Sequence, residues 1–243
     1  MKTQGIYEIV SNRPIAQDTF EMVLKGDMSF VEAPGQFVNI KIEGLYLRRP
    51  ISICDWDEKT MTLIYKMVGR GTERMAAMEP GEELDLLVGL GNGFNMEETG
   101  EKTAIIGGGV GAPPMYGLAK RMIAAGKKIT MVLGFGNADQ AFYVDRFEAL
   151  GCPVYVTTVD GSQGIQGFVT DVLGQIDYDA YCACGPMPML KAVWGMGKEG
   201  QLSFEERMGC GFGACMGCSC ETLTGNKRIC VEGPVMKSSE VKF

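Results

Sequence analysis

Four cysteines near the C-terminus constrain this chain more than any other feature. Cys210, Cys215 and Cys218 stand at C-x4-C-x2-C spacing, and Cys230 follows alone. Plant-type [2Fe–2S] centres use this ligand order, with thiolates holding both irons. Gly211, Gly213, Ala214 and Gly217 fill the intervals. Small residues let backbone N–H groups approach the sulfurs, and glycine adds access to positive φ. A structural zinc site also takes four thiolates, but its cysteines usually come as two short pairs. Disulfides are the third reading. They sit poorly with nine cysteines, an odd count, in a chain large enough to build a core without staples. Cys220, two residues past Cys218, is read as a neighbour because a C-x-C pair departs from the expected order.

Composition narrows the function classes. The chain has no histidine, which excludes Ser-His and Cys-His catalysis, His-ligated zinc catalysis and Rieske-type clusters. A net charge of −7 without a basic stripe argues against a nucleic-acid partner. No apolar run approaches the ~18 residues of a membrane span, and the richest stretch, 104–114, is broken by glycine and proline. Met1-Lys2-Thr3 opens directly into a strand-like segment, so export is not expected and a reducing, cytoplasmic compartment is.

Three regions follow one another. Residues 1–98 read as β-rich, with short segments at 6–10, 19–24, 37–42 and 61–65 separated by turn signals. Strands at this spacing suggest a small antiparallel barrel. Residues 99–200 alternate strand (102–106, 128–133, 154–158, 180–184) with helix (115–125, 142–150, 169–173, 188–194), the pattern of a doubly wound parallel sheet. Residues 201–243 hold the cysteine loop.

The glycine runs sit at the strand ends. Gly107, Gly108, Gly109 and Gly111 leave the first parallel strand and meet Ala112-Pro113-Pro114 at a helix start, where proline suits the first turn. Glycines there let backbone approach a pyrophosphate favoured by the helix N-terminus, although a glycine-rich turn with no ligand is the bland alternative. Cys184, Gly185, Pro186 and Met187 end the last parallel strand, and Asp160-Gly161-Ser162 ends the third. Three such turns on one edge predict a nucleotide crevice. In the first region, Arg49-Pro50-Ile51-Ser52 and Gly69-Arg70-Gly71-Thr72 read as a phosphate clamp or, more blandly, as a strand end and an ordinary turn.

R-x-x-S, G-x-G-T, GGGxGxxP and C-G-P in this order resemble the ferredoxin-NADP⁺ reductase superfamily. Glu206-Arg207-Met208-Gly209 before the cysteines, Ala33-Pro34-Gly35-Gln36-Phe37, and Cys230-Val231-Glu232-Gly233-Pro234-Val235 narrow the likeness to the electron-transfer subunits of type B dihydroorotate dehydrogenases. The resemblance covers essentially the whole chain. It implies FAD on the barrel, with Arg49 at the pyrophosphate, Pro50, Ile51 and Ser52 along the isoalloxazine, Ile64, Tyr65 and Lys66 lining the cofactor, and Gly71 and Thr72 cradling phosphate at the next helix start. Ile51 departs from the tyrosine many superfamily members stack on the flavin. NAD would lie across Gly107–Gly111 and Cys184–Met187, with Cys184 equally readable as a small buried strand residue.

The resemblance further implies a [2Fe–2S] cluster on Cys210, Cys215, Cys218 and Cys230. An FMN-containing dihydroorotate dehydrogenase catalytic subunit would be the partner, in a heterotetramer serving pyrimidine (UMP) biosynthesis. No catalytic acid or base is required, and the cluster potential should lie above the ~−400 mV of plant-type ferredoxins, since NADH is a weaker reductant than that. Met208, Phe212 and Met216 are candidates for a docking patch or for local core. Alternatives are the NAD(P)H-handling subunit of a ferredoxin-dependent transhydrogenase or sulfhydrogenase, and a zinc-containing nucleotide-sensing module.

Overall fold

The structure, a computed structural model, describes residues 2–243, and Met1 lies outside them. Six antiparallel strands, β1 (Thr3–Ala16), β2 (Thr19–Lys25), β3 (Phe37–Ile40), β4 (Arg49–Trp56), β5 (Thr60–Lys66) and β6 (Glu83–Leu90), close a barrel in the order β1-β2-β5-β4-β3-β6. Alternation dictates its core: in β6, Leu84, Leu86, Val88 and Leu90 are buried while the residues between them are exposed or half-buried. A short helix, α1 (Arg70–Ala76), links β5 to β6.

The second unit contains β7 (Lys102–Gly108), β8 (Lys128–Phe135), β9 (Val154–Thr158), β10 (Ile165–Gln166), β11 (Ala180–Cys184) and β12 (Glu199–Ser203). Helices α2 (Ala112–Ala124), α3 (Val144–Glu148), α4 (Val169–Leu173) and α5 (Met187–Trp194) connect them. The order β10-β9-β8-β7-β11-β12 reverses direction between β7 and β11, which is where ligands enter open α/β sheets. A hairpin of β13 (Ser219–Thr222) and β14 (Gly225–Arg228) follows, and β15 (Val235–Lys237) then pairs antiparallel with β12. The expected parallel sheet thus gains one antiparallel edge strand from the cysteine-bearing segment, and residue 200, expected as a boundary, falls inside β12. Among the described residues no helix is long and apolar enough to cross a membrane.

The two units share a seam that carries charged side chains. Helix α2 presses on β4 so closely that a Cβ on Gly117 would lie 2.4 Å from the Cys54 carbonyl oxygen. Arg121 clamps the same strand through Asp55 Oδ1 (3.0 Å) and the Trp56 carbonyl (3.1 Å), with its guanidinium 3.3 Å from the Trp56 ring centroid. On the other side, Glu21 of β2 is buried. It accepts from Arg13 Nε at 2.9 Å and from the Tyr143 hydroxyl, and pairs with Arg146 at 3.3 Å. Burial pushes the Glu21 carboxyl up, but the bonds from Tyr143 and Arg13 and the Arg146 charge outweigh it and hold its pKa below the usual value.

A group titrating lower in the folded than in the unfolded state contributes fully above its unfolded pKa, and the contribution fades as pH falls through the folded one. Glu21→Ala should therefore cost about 1–3 kcal/mol at neutral pH, mainly the penalty of leaving the buried Tyr143 hydroxyl without its acceptor. Denaturant melts should show this gap shrinking below the ordinary carboxylate range.

Candidate cofactor clefts and cysteine centre

Where the sheet order reverses, a cleft of about 270 Å³ opens between the two units, with Ser52, Lys66, Gly108, Gly111, Cys184 and Glu205 among its walls. On β4, Arg49, Pro50, Ile51 and Ser52 are all half-buried, whereas Ile53 and Cys54 are buried in the cores. Arg49 lies across the start of α1. A Cβ on Gly71 would sit 2.0 Å from its Nε, so a side chain there would displace the guanidinium from this position. A half-open strand with a guanidinium at one end and a cleft at the other fits a flat ring system carrying a pyrophosphate.

Three of the expected lining residues behave differently. Tyr65 turns into the barrel core, stacks on Phe20 at 5.8 Å and donates to Asn12 Oδ1 at 2.9 Å, so its side chain faces away from the cleft. Ile64 is buried in the seam between the units. The Thr72 hydroxyl is occupied by its own turn, accepting from Val68 N (2.9 Å) and donating to the Gly69 carbonyl (3.0 Å). Strand alternation accounts for Tyr65: Lys66, one residue on, faces the cleft instead.

A second cavity of about 550 Å³ continues along the carboxyl ends of β7, β8, β9 and β11, sharing Gly108, Gly109, Gln140 and Pro186 with the first. Its glycine turns touch. A Cβ on Gly111 would meet the Cys184 carbonyl oxygen at 2.3 Å, one on Gly107 would meet Ala112 Cα at 2.7 Å, and one on Gly185 would meet Met189 Cε at 2.5 Å. Met187 starts α5 with its side chain exposed, outside the lining. No charged side chain lines this cavity. Burial pushes the half-buried Cys184 thiol up to about 12, which keeps it protonated and unsuited to act as a nucleophile.

The four cysteines lie as two pairs, Cys210 with Cys215 and Cys218 with Cys230, and among the described residues no three cysteine or acidic side chains are gathered closely enough to hold a metal ion as they stand. Cys218 and Cys230, both buried, bring their sulfurs to 3.3 Å, too far for a disulfide, and all nine cysteines are free. Cys210 N–H donates to Cys215 Sγ at 3.4 Å, Ala214 N–H to Cys210 Sγ at 3.2 Å, and Gly217 N–H to Cys215 Sγ at 3.4 Å. Burial works against the Cys210 thiolate, but the N–H groups of Phe212, Cys215 and Ala214 bring its pKa down to about 6. Burial and the adjacent Cys218 push Cys230 up to about 12. Two thiol pairs, one of them with N–H donors aimed at its sulfurs, fit the ligand set of a two-iron centre with two thiolates to each iron. Gly211 and Gly213 take φ of +76° and +98°, the left-handed region anticipated from their type. Cys220 is half-buried on β13. Phe212 and Met216 are exposed, while Met208 packs against the core.

Sequence reading missed Thr19, Gln140, Phe142, Ser203, Phe204 and Glu205 as cleft residues, because they reach it only through the packing of separate elements. It also missed Asn39 of β3, whose Nδ2 donates to the Cys210 carbonyl at 3.3 Å.

Comparison with known proteins agrees with this geometry. Residues 205–242 match the family described as the iron-sulfur cluster binding domain of dihydroorotate dehydrogenase B, and residues 105–194 match the oxidoreductase NAD-binding domain. The dihydroorotate dehydrogenase B (NAD(+)) electron transfer subunit of Shouchella clausii is 43% identical over 256 aligned residues, covering 99% of this chain and 98% of that one. Its counterpart from a Geobacillus species is 44% identical, with 99% of each chain covered. The solved structure of an NADH-dependent reduced ferredoxin-NADP oxidoreductase, described in terms of flavin-based electron bifurcation, superposes with a TM-score of 0.89 at 31% identity. That match covers 98% of this chain and 90% of the other. With cysteine pairs, glycine crevice and barrel all present and near-complete coverage at this identity, the chain belongs to the family of dihydroorotate dehydrogenase B (NAD(+)) electron transfer subunits.

Proposed function

We propose that the chain relays electrons between NAD(H) and the catalytic subunit of a dihydroorotate dehydrogenase, in pyrimidine biosynthesis. The observation that supports it best is contiguity. The nucleotide cavity opens into the cleft at β4, β4 pairs with β3, and Asn39 of β3 touches the first cysteine of the centre. When bound, the three groups supply hydride exchange at nicotinamide, one- and two-electron chemistry at FAD, and single-electron transfer at a [2Fe–2S] cluster.

The chain's own residues bind and orient. Arg49 would hold the flavin pyrophosphate, Pro50, Ile51 and Ser52 would line the flavin, and Ile64, Tyr65 and Lys66 would offer main chain and, at Lys66, a cleft-facing ammonium. Thr72 keeps the α1 turn in shape. Gly107, Gly108, Gly109 and Gly111, with Cys184, Gly185, Pro186 and Met187, admit the nicotinamide dinucleotide. Cys210, Cys215, Cys218 and Cys230 hold the cluster. No proton donor or base is needed, consistent with a chain lacking histidine.

The uncharged second cavity supports NAD over NADP, whose extra phosphate normally calls for an arginine. The kcat/KM for NADH should exceed that for NADPH by at least ~10-fold, a difference of about 1.4 kcal/mol, and steady-state kinetics with both cofactors checks this. A partner carrying FMN, in a complex of two copies of each chain, and a cytoplasmic setting that suits nine free thiols, complete the reading.

The test is reconstitution with the partner purified from the same host. Dihydroorotate should drive NAD⁺ reduction only when this chain is present. Failure of that coupling, with reduced ferredoxin driving the reaction instead, would move the chain to the transhydrogenase reading that the 31%-identical structure represents.

A further inference from the structure

Asn39 is 1% exposed, yet its Oδ1 has no hydrogen-bond partner among the described residues. A buried acceptor without a partner is a desolvation cost that the rest of the fold must offset. The amide is therefore held in place by what its other end does. Nδ2 donates to the carbonyl of Cys210 at 3.3 Å. The cluster loop is shaped around this group: a Cβ on Gly211 would lie 2.3 Å from Nδ2 and 3.2 Å from Cγ, and Gly211 stands at φ +76°. Nδ2, Cγ and Cβ are the Asn39 atoms nearest that point, so the oxygen end is turned from Gly211 and the N–H₂ end toward it.

The charges nearby do not supply this polarity. Arg48 Nη1 donates to the Asn39 carbonyl at 3.3 Å, but the Arg48 guanidinium is paired with Asp85 Oδ1 at 2.9 Å, and Lys41 and Gln4 also reach Asp85, at 4.0 and 2.9 Å. Lys2 Nζ donates to the Phe212 carbonyl at 3.1 Å from the exposed side of the loop, where water screens it.

We infer that Asn39 is a potential-tuning and positioning residue for the centre on the cysteine loop, presenting the positive end of a buried, otherwise unpaired amide dipole to the peptide of Cys210. A dipole so oriented stabilises added negative charge, and inside a protein it is little screened. It therefore favours the reduced centre and raises its potential. Its place on β3, opposite Pro50 of β4, also anchors the loop to the strand that carries the flavin-contacting residues. This inference rests on the iron–sulfur reading of the four cysteines.

The experiment is an EPR-monitored redox titration of the holo complex. The dithionite-reduced wild-type protein comes first: absence of a [2Fe–2S] signal defeats the underlying reading, not this one. With the signal present, Asn39→Leu, similar in volume and without the dipole, should shift the cluster midpoint to more negative values and leave the flavin midpoint in place. The smaller Asn39→Ala should shift it in the same direction. An unchanged cluster midpoint in either iron-loaded variant overturns the tuning role. So does loss of iron from both variants with FAD retained, which would mark Asn39 as a purely structural tie.

Discussion

Cys218→Ser should yield a protein that keeps its flavin and nucleotide sites but loses iron. Dihydroorotate-dependent NAD⁺ reduction is expected to fall at least ~100-fold, since a serine hydroxyl does not ionise near neutral pH and the thiolate is the ligand. Cys218 is 2% exposed, packed in the core beside Ile229 and Cys230 with its sulfur 3.3 Å from that of Cys230, so no other side chain can replace it without moving the hairpin. NADH oxidation by a small dye acceptor should persist, because the cleft and the glycine turns lie on other elements. Iron and sulfide analysis beside the two assays reads the result. Cys220→Ser is the control and should retain iron. If Cys220→Ser loses iron and Cys218→Ser keeps it, the ligand set is wrong.

Gly111→Ala should raise the KM for NADH at least ~10-fold, about 1.4 kcal/mol of lost binding, with FAD and iron contents unchanged. The added Cβ would stand 2.3 Å from the Cys184 carbonyl oxygen and 2.6 Å from Gly185 Cα. Both are main-chain atoms on β11 or just beyond it, so no rotamer change relieves the overlap. Either the start of α2 or the turn after Cys184 must shift, and these two turns form one side of the nucleotide cavity. Gly109→Ala is instructive beside it: nothing lies within 4 Å of its Cβ, but its φ of +52° disfavours a side chain. It should weaken binding less. An unaltered KM in Gly111→Ala would mean that the turn yields without cost and that the nucleotide lies elsewhere.

Elements with strong local signals were legible in the chain. Strands β9 and β11 and helix α4 fall at their expected ends: β11 is a buried apolar run, β9 is built of β-branched and aromatic residues, and glycine follows each of the three within a few residues. Strands β4 and β6 were not singled out. Pro50 breaks the strand propensity of one, and Glu83, Asp85 and Gly89 dilute the other, yet both close the barrel through pairing with neighbours. The helix expected over 142–150 spans only Val144–Glu148: Tyr143, at φ +60°, stands outside it as the N-cap and donates its hydroxyl to Glu21. The C-terminal strand β15 has only three residues and exists by pairing with β12, which no local pattern announces.

Ligand spacing and the glycine turns are local properties, so the sequence by itself pointed to the paired cysteines and to the crevice at the carboxyl ends of the parallel strands. Which side chains line the shared cleft, the turning of Tyr65 into the barrel, the Glu21 seam and the contact between Asn39 and Cys210 were decided only by tertiary structure. Asn39 and Cys210 are 171 positions apart in the chain. Such meetings come from two separately built units burying their faces against each other, and that burial depends on the whole packing rather than on any stretch of residues.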